Sequence, residues 1–339
     1  MGPLNLDLLR QVIDPRICSF TLTPIKTGAA PSIVYRVALF GNEGHPPLPS
    51  LILKVIAPRW PNDPWGEVRE FSFYREILPL LSLRSPQVHY LGHDERSGAR
   101  MILMEDLSTH FRFFPPDHAW SRQEMQCLLR SYALLHIDGR AALPIQEQRA
   151  WLAPRHERRW TPEGVLPMAE ELSARGIWSP IPKLGLLLER TAAEGARWSD
   201  WPVTLLHCDG YSPNFAMPQD LEQEGILIDW EMMSWGHAEL DLAYLFMQPF
   251  CSAREIDRAE ALEYYWARRR MRDGTAPRRN ERMALQAYAD ALLAISQIPV
   301  AYRVACSPFP SGSEQGQYWE AMFKVLNLRL QEMSETTFR

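Results

Sequence analysis

Two short apolar runs near the middle of the chain lead into residues that could do chemistry. The first run, VTLLH, ends at His207 and is followed by Asp209 and Asn214. The second run, GILIDW, contains Asp229 near its end. Both runs are rich in β-branched and aliphatic residues and are bounded by Pro, Gly and polar residues, so both are predicted to be buried strands. Carboxylates after two strands, with an amide between them, suggest a site that holds a metal ion and positions a hydroxyl group.

The spacing of these residues narrows the chemistry. His207, Asp209 and Asn214 are spaced as in the kinase catalytic loop, where the Asp accepts or orients a hydroxyl proton and the Asn holds magnesium. Asp229 stands where a second magnesium ligand belongs, and Mg²⁺ takes its remaining ligands from phosphate and water. Taken singly, an Asp after a strand is usually a turn or cap residue, and a lone His is usually a core residue. The joint pattern favours the functional interpretation.

The segments HCDGYSPN, IDWE and ELDLAYLF resemble the aminoglycoside phosphotransferase and choline kinase superfamily, whose members have a protein-kinase-like fold. The resemblance implies an ATP- and Mg²⁺-dependent kinase that transfers the γ-phosphate to a hydroxyl group of a small molecule. It also implies that Asp209 is the catalytic residue and that Asn214 and Asp229 are the magnesium ligands.

Other residues of these segments have supporting roles by the same resemblance. His207 would brace the catalytic loop, and Asp241 would support that loop without touching substrate. Where the family usually has HGD, this chain has His207-Cys208-Asp209. The middle position varies between subfamilies. The expected chemistry is therefore unchanged.

A lysine inside an apolar strand is the next candidate. SLILKVI carries Lys54, and a buried ammonium needs a partner because an unpaired one is costly. In kinases the lysine of this strand binds the phosphates and pairs with a glutamate of the next helix. Here the apolar spacing predicts a helix over Asp63–Leu81, on which Glu70 is the expected partner and Glu67 the competing one. An edge strand with a solvent-facing lysine is the alternative.

Two further segments are nucleotide contacts by resemblance. A hairpin around Lys26–Ser32 would cover ATP, with Ser32 and nearby amides as contacts, although an ordinary hairpin would have the same residues. MILMEDL would connect two lobes, and the carbonyl of Glu105 and the amide of Leu107 would bind the adenine. A plain strand that ends in a polar turn would have the same sequence.

The order of elements predicts an α+β fold of the protein-kinase-like, two-lobe type. Residues 1–106 form a small antiparallel-sheet lobe with one main helix that binds the nucleotide, and residues 107–339 form a larger, mostly helical lobe for catalysis and substrate. Ser121 with Glu124 predicts a capping box at the start of the first large helix, which carries His136 as a structural residue. Three later helices are predicted over 253–271, 280–297 and 317–333.

The composition excludes several classes of protein. A net charge of −5 and an isoelectric point near 6.0 give no electrostatic basis for binding nucleic acid or an anionic membrane. No apolar run approaches the ~20 residues that span a bilayer. Five scattered cysteines predict neither a disulfide framework nor a zinc site. We therefore expect a cytoplasmic enzyme with reduced thiols and no obligate protein partner.

The acceptor is predicted only by class. The interval between Asp229 and Asp241 is too short for the activation segment of a protein kinase, so the acceptor is a small molecule. Nine Arg against six acidic residues between Arg254 and Arg282 argue against a polycation and favour a metabolite, a sugar or a less charged antibiotic. Five late aromatic residues could line its pocket but more often form core: Tyr264, Tyr265, Trp266, Tyr288 and Trp319.

Three alternatives stay open on the sequence. The acceptor could be an aminoglycoside, in which case the enzyme would confer antibiotic resistance. The chain could be a catalytically silent, kinase-like protein that binds nucleotide. Finally, it could be an unrelated α/β protein, in which Lys54 would lie far from Asp229.

Overall fold

A five-stranded antiparallel sheet forms the N-terminal part of the computed structural model. The strands lie in the order β1-β2-β3-β5-β4. They are β1 (Ile17–Ile25), β2 (Ser32–Gly41), β3 (Leu51–Ile56), β4 (Val88–His93) and β5 (Arg100–Glu105). A short helix, α1 (Leu6–Val12), precedes β1, and its buried Leu9 joins the apolar cluster of this sheet. The predicted antiparallel sheet is confirmed.

The structure describes most, but not all, of the chain. The described residues are 4–25, 32–42, 47–58, 66–116, 118–142, 144, 149–152, 161–248, 257–273, 279–306 and 313–336. The centre of the hairpin predicted to cover ATP, Lys26–Pro31, lies outside them, as does the beginning of the helix predicted from Asp63.

β3 lies inside the sheet, with β2 on one side and β5 on the other. The register pairs Lys54 with Val34 and with Ile102. The alternative of an edge strand with a solvent-facing lysine is therefore wrong. Because Lys54 is only 5% exposed, its ammonium has to be neutralised inside the protein.

One irregular helix connects this sheet to the rest of the molecule. α2 (Gly66–Ser72) passes into a π-helical turn, Phe73–Ile77, and then into a 3₁₀ turn. The regular helix predicted to reach Leu81 thus loses its α-helical period after Ser72. The ring of Phe73 stacks on the ring of Trp230 at a centroid distance of 3.8 Å. α2 is thereby held beside the segment that follows Asp229.

Most of the described C-terminal part is helical, which confirms the predicted fold class. Its helices are α3 (Arg122–Asp138), α4 (Pro162–Ala174), α5 (Leu184–Trp198), α6 (Glu239–Met247), α7 (Arg258–Asp273), α8 (Arg279–Cys306) and α9 (Glu314–Thr336). The described helices include none that is long and apolar enough to cross a membrane. The division into two lobes at Asp106 stays a prediction.

Short strands carry the predicted catalytic segment. β6 (Phe111–Arg112), β8 (Phe215–Pro218) and β9 (Ile226–Leu227) form one small sheet, and β7 (Thr204–Leu206) pairs with β10 (Ser234–Gly236). The run GILIDW is a strand only at Ile226 and Leu227. It ends there because Asp229 adopts a left-handed φ of 64°, outside the β region that a regular strand requires.

The later helices agree with the predictions in position but not in length. α8 runs nine residues beyond the predicted end at 297 and contains Pro299. Of the late aromatic residues, Tyr265, Trp266 and Tyr288 are buried in the apolar core. Tyr264 and Trp319 are partly buried and pack against the same core clusters. The prediction that these aromatic residues form core is therefore correct for Tyr265, Trp266 and Tyr288.

The start of α3 has the predicted capping box. Ser121 Oγ accepts a hydrogen bond from the Glu124 amide at 3.3 Å, and Glu124 Oε2 accepts one from the Ser121 amide at 3.0 Å. Each side chain thus satisfies a backbone donor that has no partner within the helix.

We expect Ser121→Ala to lower the free energy of unfolding by about 1 kcal/mol, because the amide of Glu124 loses its acceptor. Urea unfolding followed by circular dichroism measures this change. Gln123→Ala, an exposed position in the same helical turn, is the control and should change stability by less than about 0.5 kcal/mol. Equal effects of the two substitutions would contradict a role of the cap.

Candidate active site

Lys54 is the centre of the site. Its Nζ atom lies 2.5 Å from Glu70 Oε2, 2.6 Å from Asp229 Oδ1 and 3.9 Å from Glu231 Oε2. Of the two glutamates considered as its partner, Glu70 makes the contact, and the side chain of Glu67 lies outside the described part of the chain. The contact with Asp229 also excludes the unrelated fold in which these two residues would be far apart.

Asp209 is held by hydrogen bonds to both of its carboxylate oxygens. The Tyr244 hydroxyl donates to Oδ1 at 3.0 Å, and the Asn214 amide nitrogen donates to Oδ2 at 2.7 Å. The Ile228 amide donates to the Asn214 carbonyl at 3.0 Å, which joins Asn214 to the segment that carries Asp229. Two fixed donors give the carboxylate a single orientation.

Asp241 lies behind this loop, at the start of α6, and is fully buried. Its Oδ2 accepts the His207 amide at 2.8 Å, and its Oδ1 accepts the Cys208 amide at 2.7 Å. His136 Nε2 lies 3.0 Å from the same Oδ2, and His136 Nδ1 lies 2.7 Å from the Tyr265 hydroxyl. Burial holds the pKa of His136 below its usual value, so we treat its ring as a neutral donor to Asp241.

His207 connects the loop to the segment that carries Asp229. Its Nε2 donates to the Ile228 carbonyl at 2.9 Å, and its ring meets the face of Trp230 edge-on at 4.6 Å. Burial lowers the pKa of His207, with Asp241 acting in the opposite direction, so the ring is neutral. A neutral ring with Nε2–H as donor fits this environment, which offers a carbonyl on one side and an aromatic face on the other.

Negative charge exceeds positive charge in the site. Burial raises the pKa of Asp209 to about 7, and the charge of Asp229 adds to this rise. Burial likewise raises the pKa of Glu70 to about 7 and that of Glu231 to about 8. For Lys54, burial alone would lower the pKa, but the surrounding carboxylates outweigh it and raise the pKa well above its usual value. One ammonium therefore faces more carboxylates than it can neutralise.

The donor set fits a hard divalent cation such as Mg²⁺. Carboxylate oxygens of Glu70, Asp229 and Glu231 all lie within 4.8 Å of one another. Asn214 uses its amide nitrogen for Asp209, which leaves its oxygen as a further ligand. Such oxygen ligands suit Mg²⁺ or Ca²⁺, and a cation would relieve the excess of negative charge.

The predicted adenine contacts lie at the end of β5. The Glu105 amide donates to the Gln87 carbonyl at 2.9 Å, and Leu107 begins a 3₁₀ turn. Between them, Asp106 fixes the connection, since its carboxylate accepts hydrogen bonds from Arg36 and Ser50, both at 2.8 Å.

Ser32, the remaining predicted nucleotide contact, is buried at the start of β2 and pairs with Ile56. The register places it two residues along the ladder from the pair that contains Lys54. The roles of Ser32, Glu105 and Leu107 in nucleotide binding stay predictions.

The sequence motifs predict no role for several residues of the site. Glu231 lies in the motif IDWE, and its charge could have indicated a role in the site. Tyr244 lies in the motif ELDLAYLF, and its hydroxyl could have done so. The sequence predicts a structural role for His136 but not its contact with Asp241. No local pattern signals this contact, because 105 residues separate the two.

Comparisons with known proteins bear on the family and the fold of the chain. A family model described as the phosphotransferase enzyme family matches residues 21–279. This match confirms the resemblance of the sequence motifs. No curated protein matched the chain.

Solved structures share the fold at low sequence identity. A protein from Ralstonia eutropha JMP134, provisionally described as an aminoglycoside phosphotransferase, is 15% identical with a TM-score of 0.64, and the match covers 98% of each chain. A spectinomycin phosphotransferase, solved with ADP and spectinomycin, is 13% identical with a TM-score of 0.58 over 99% of each chain. An amicoumacin kinase, solved with AMP-PNP and Ca²⁺, is 14% identical with a TM-score of 0.52 over 99% of this chain and 94% of the other.

We expect Glu231→Gln to weaken the pH dependence of stability in the nucleotide-free protein. Folded Glu231 keeps its proton up to about pH 8, whereas the unfolded group loses it near its ordinary value of 4.5. Between these values the folded state binds more protons, so stability falls as pH rises, by at most about 1.4 kcal/mol per pH unit for this group. Gln cannot ionise and removes this part of the fall.

Urea unfolding at several pH values between 5.5 and 8, in the presence of a chelator, measures the free energy of unfolding of both proteins. We expect the pH-dependent difference between them to be on the order of 1 kcal/mol. Glu95→Gln is the matched control, because Glu95 is exposed in a turn and belongs to none of the contacts of the site, so it should keep the wild-type pH dependence. A Glu231→Gln variant whose stability falls with pH as steeply as the wild type would show that Glu231 is already ionised.

Proposed function

Since the chain belongs to the phosphotransferase enzyme family, we propose that it is an ATP- and Mg²⁺-dependent kinase that phosphorylates a hydroxyl group of a small molecule. The observation that carries this proposal is the contact of Lys54 with Glu70 and Asp229, next to the doubly hydrogen-bonded Asp209. These groups supply a phosphate-binding cation, cation-binding oxygens and an acceptor for a hydroxyl proton.

In the proposed reaction, each residue acts through the contacts described above. Lys54 binds the α- and β-phosphates, and Glu70 keeps its ammonium in place. The acceptor hydroxyl donates a hydrogen bond to Asp209 while its oxygen attacks the γ-phosphorus. As the new P–O bond forms, the bond from the γ-phosphorus to ADP breaks and the hydroxyl proton passes to Asp209. Tyr244 and Asn214 hold the carboxylate in one orientation during this transfer.

The divalent cation would be held by Asn214 and Asp229, with Glu231 near enough to contribute. When bound, it neutralises phosphate charge. Support for nucleotide and cation comes from proteins that share the fold, one of which was solved with ADP and another with AMP-PNP and Ca²⁺. A cytoplasmic location, where ATP is abundant, is part of the proposal.

An aminoglycoside acceptor is the second candidate, because the similar protein from Ralstonia eutropha is described in those terms. We favour a less charged acceptor, on account of the arginines between Arg254 and Arg282. A screen for ATP consumption decides between the two when it includes sugars, choline, neutral antibiotics and kanamycin.

We expect Asp209→Asn to keep nucleotide binding and to lose phosphoryl transfer. The amide cannot take the hydroxyl proton, so the rate should fall by about 10²- to 10⁴-fold. Thermal stabilisation by ATP with Mg²⁺ measures binding, and ADP release with the acceptor from the screen measures transfer.

Lys54→Met is the complementary variant and should lose stabilisation by ATP, because the phosphates lose their cation. Glu95→Gln serves again as the control and should behave as wild type in both assays. If Asp209→Asn turns over acceptor as fast as wild type, Asp209 does not accept the proton. If ATP stabilises neither the wild type nor any variant, the chain is not an ATP-dependent enzyme.

A further inference from the structure

A buried carboxylate lies in the connector, Glu105–Leu107, and has no part in the proposed reaction. Asp106 is only 4% exposed. Its Oδ2 accepts hydrogen bonds from Arg36 Nε and Ser50 Oγ, both at 2.8 Å. Its Oδ1 accepts one from the Ser108 amide at 3.0 Å and one from the Ser108 hydroxyl at 2.6 Å. Four donors on one carboxylate hold it in a single orientation.

The groups that bind Asp106 come from the sheet on one side and from the turn on the other. Arg36 lies on β2 and Ser50 directly precedes β3, so both belong to the N-terminal sheet. Ser108 and Thr109 belong to the 3₁₀ turn at the end of the connector, and the Thr109 hydroxyl donates to the Asp106 carbonyl at 3.2 Å. Nη2 of Arg36 also donates to Ser108 Oγ at 3.1 Å. Asp106 thus fastens the turn to the sheet.

A cap for this turn would need only half of these contacts. As the N-cap residue, Asp106 satisfies the Ser108 amide through Oδ1. Its Oδ2 is not needed for the cap, and the donors to Oδ2 lie 70 and 56 residues earlier in the chain. Burial alone would raise the pKa of Asp106, but its hydrogen bonds and the charge of Arg36 outweigh burial and hold the pKa below its usual value. The ionised side chain therefore fixes the direction of the connector relative to the sheet, which a turn alone does not.

The contact of Asp106 with β2 lies on the face of the sheet that carries Lys54. The register pairs Arg36 with Ile52, and Ile52 with Met104. Because paired residues, and residues two apart on one strand, point to the same face, Arg36 shares a face with Lys54. Ile52 lies about 7 Å along β3 from Lys54, a length similar to that of the ribose between the phosphates and the base of a nucleotide. The connector, which follows Met104, thus lies where the base of a nucleotide bound through Lys54 is expected.

We propose that Asp106, held by Arg36, is a positioning residue for the purine of the nucleotide. Asp106 does not touch the nucleotide; it fixes the connector, whose backbone then meets the base without first having to be ordered. The inference rests on the proposed function and names the residues through which the base, rather than the phosphates, is recognised. Affinity that comes from the base therefore depends on Asp106, whereas affinity that comes from the phosphates does not.

The test compares the binding of ATP with that of inorganic tripolyphosphate, each with Mg²⁺, to the full chain. Tripolyphosphate presents the charges that Lys54 and the cation would bind, but it has no base. Isothermal titration calorimetry measures both dissociation constants, after thermal unfolding has shown that each variant is folded. We expect Asp106→Asn, which removes the charge that holds Arg36, to weaken ATP binding by about 10-fold and to change tripolyphosphate binding by less than about 2-fold.

A second variant removes the other partner of the ion pair. Arg36→Met leaves Asp106 with its contacts to Ser50 and Ser108, so ATP binding should weaken by roughly 3-fold while tripolyphosphate binding stays unchanged. The Arg36 side chain is 47% exposed, so its loss leaves no cavity in the core. If Asp106→Asn does not fold, Arg36→Met decides the test by the same comparison.

Asp94→Asn is the matched control. Asp94 lies in the turn between β4 and β5, where its Oδ1 accepts a hydrogen bond from the Arg96 amide at 3.0 Å and its Oδ2 accepts one from the Ser97 hydroxyl at 2.6 Å. Within the described part of the chain, its hydrogen bonds stay inside this turn. The control therefore changes a turn-capping aspartate of the same sheet and should leave the binding of both probes unchanged.

The outcomes separate this inference from the proposed function. If Asp106→Asn weakens ATP and tripolyphosphate by the same factor, or changes neither, the inference is overturned while the kinase proposal stands. If the wild type binds ATP but transfers phosphate to no acceptor, the proposed function fails, and the comparison of the two probes still decides the inference. If the wild type binds ATP no more tightly than tripolyphosphate, the base is not recognised and the inference is overturned.

Discussion

The ammonium of Lys54 is the constraint on which the site depends. It lies in the interior of the sheet, where it cannot stay unpaired, and its carboxylate partners come from α2 and from a loop 175 residues later in the chain. Breaking such a pair leaves a buried charge, which costs roughly 3–5 kcal/mol. One charge thus ties the N-terminal sheet, the following helix and the segment after β9 to a single geometry.

The excess of carboxylate around this ammonium has a consequence for binding. Triphosphate alone would approach the negative charge of Asp229, and that of Asp209 where it is ionised, and would be repelled. A divalent cation alone would meet Lys54 at the centre of the site. Cation and phosphate together balance both kinds of charge, so the site is complementary to the complex of the two more than to either part.

Residues with strong local signals could be predicted from the sequence. Lys54 was foreseen because a charge inside an apolar strand demands a partner, and the capping box of α3 because its two side chains stand three residues apart. The π-helical turn after Ser72 could not be predicted, because the spacing of apolar residues does not distinguish one π-helical turn from an α-helical turn. The strand predicted over GILIDW was too long, because apolar composition does not reveal the backbone turn at Asp229.

Contacts between residues that are distant in the sequence also limit what can be predicted from it. The hydrogen bond from Tyr244 to Asp209 and the one between His136 and Asp241 join residues 35 and 105 positions apart. Each of these side chains has a structural interpretation that fits its local sequence equally well. Only the folded chain brings them together, and the roles assigned to Asp209, Asn214 and Asp229 in catalysis stay proposals about the site so formed.

The turn before Asp209 shows how the fold holds an unfavourable backbone. Cys208 has a φ of 61°, a conformation that glycine adopts freely and that costs other residues about 1–2 kcal/mol. The carboxylate of Asp241 binds the Cys208 amide, and the Cys208 side chain is buried in the apolar cluster that contains Leu206 and Leu240. The Cys208 thiol fills space in this core. This packing, which a glycine could not provide, offsets the strain. The cysteine in place of the family's usual glycine therefore keeps the sharp turn that directs Asp209 toward Asn214 and Tyr244.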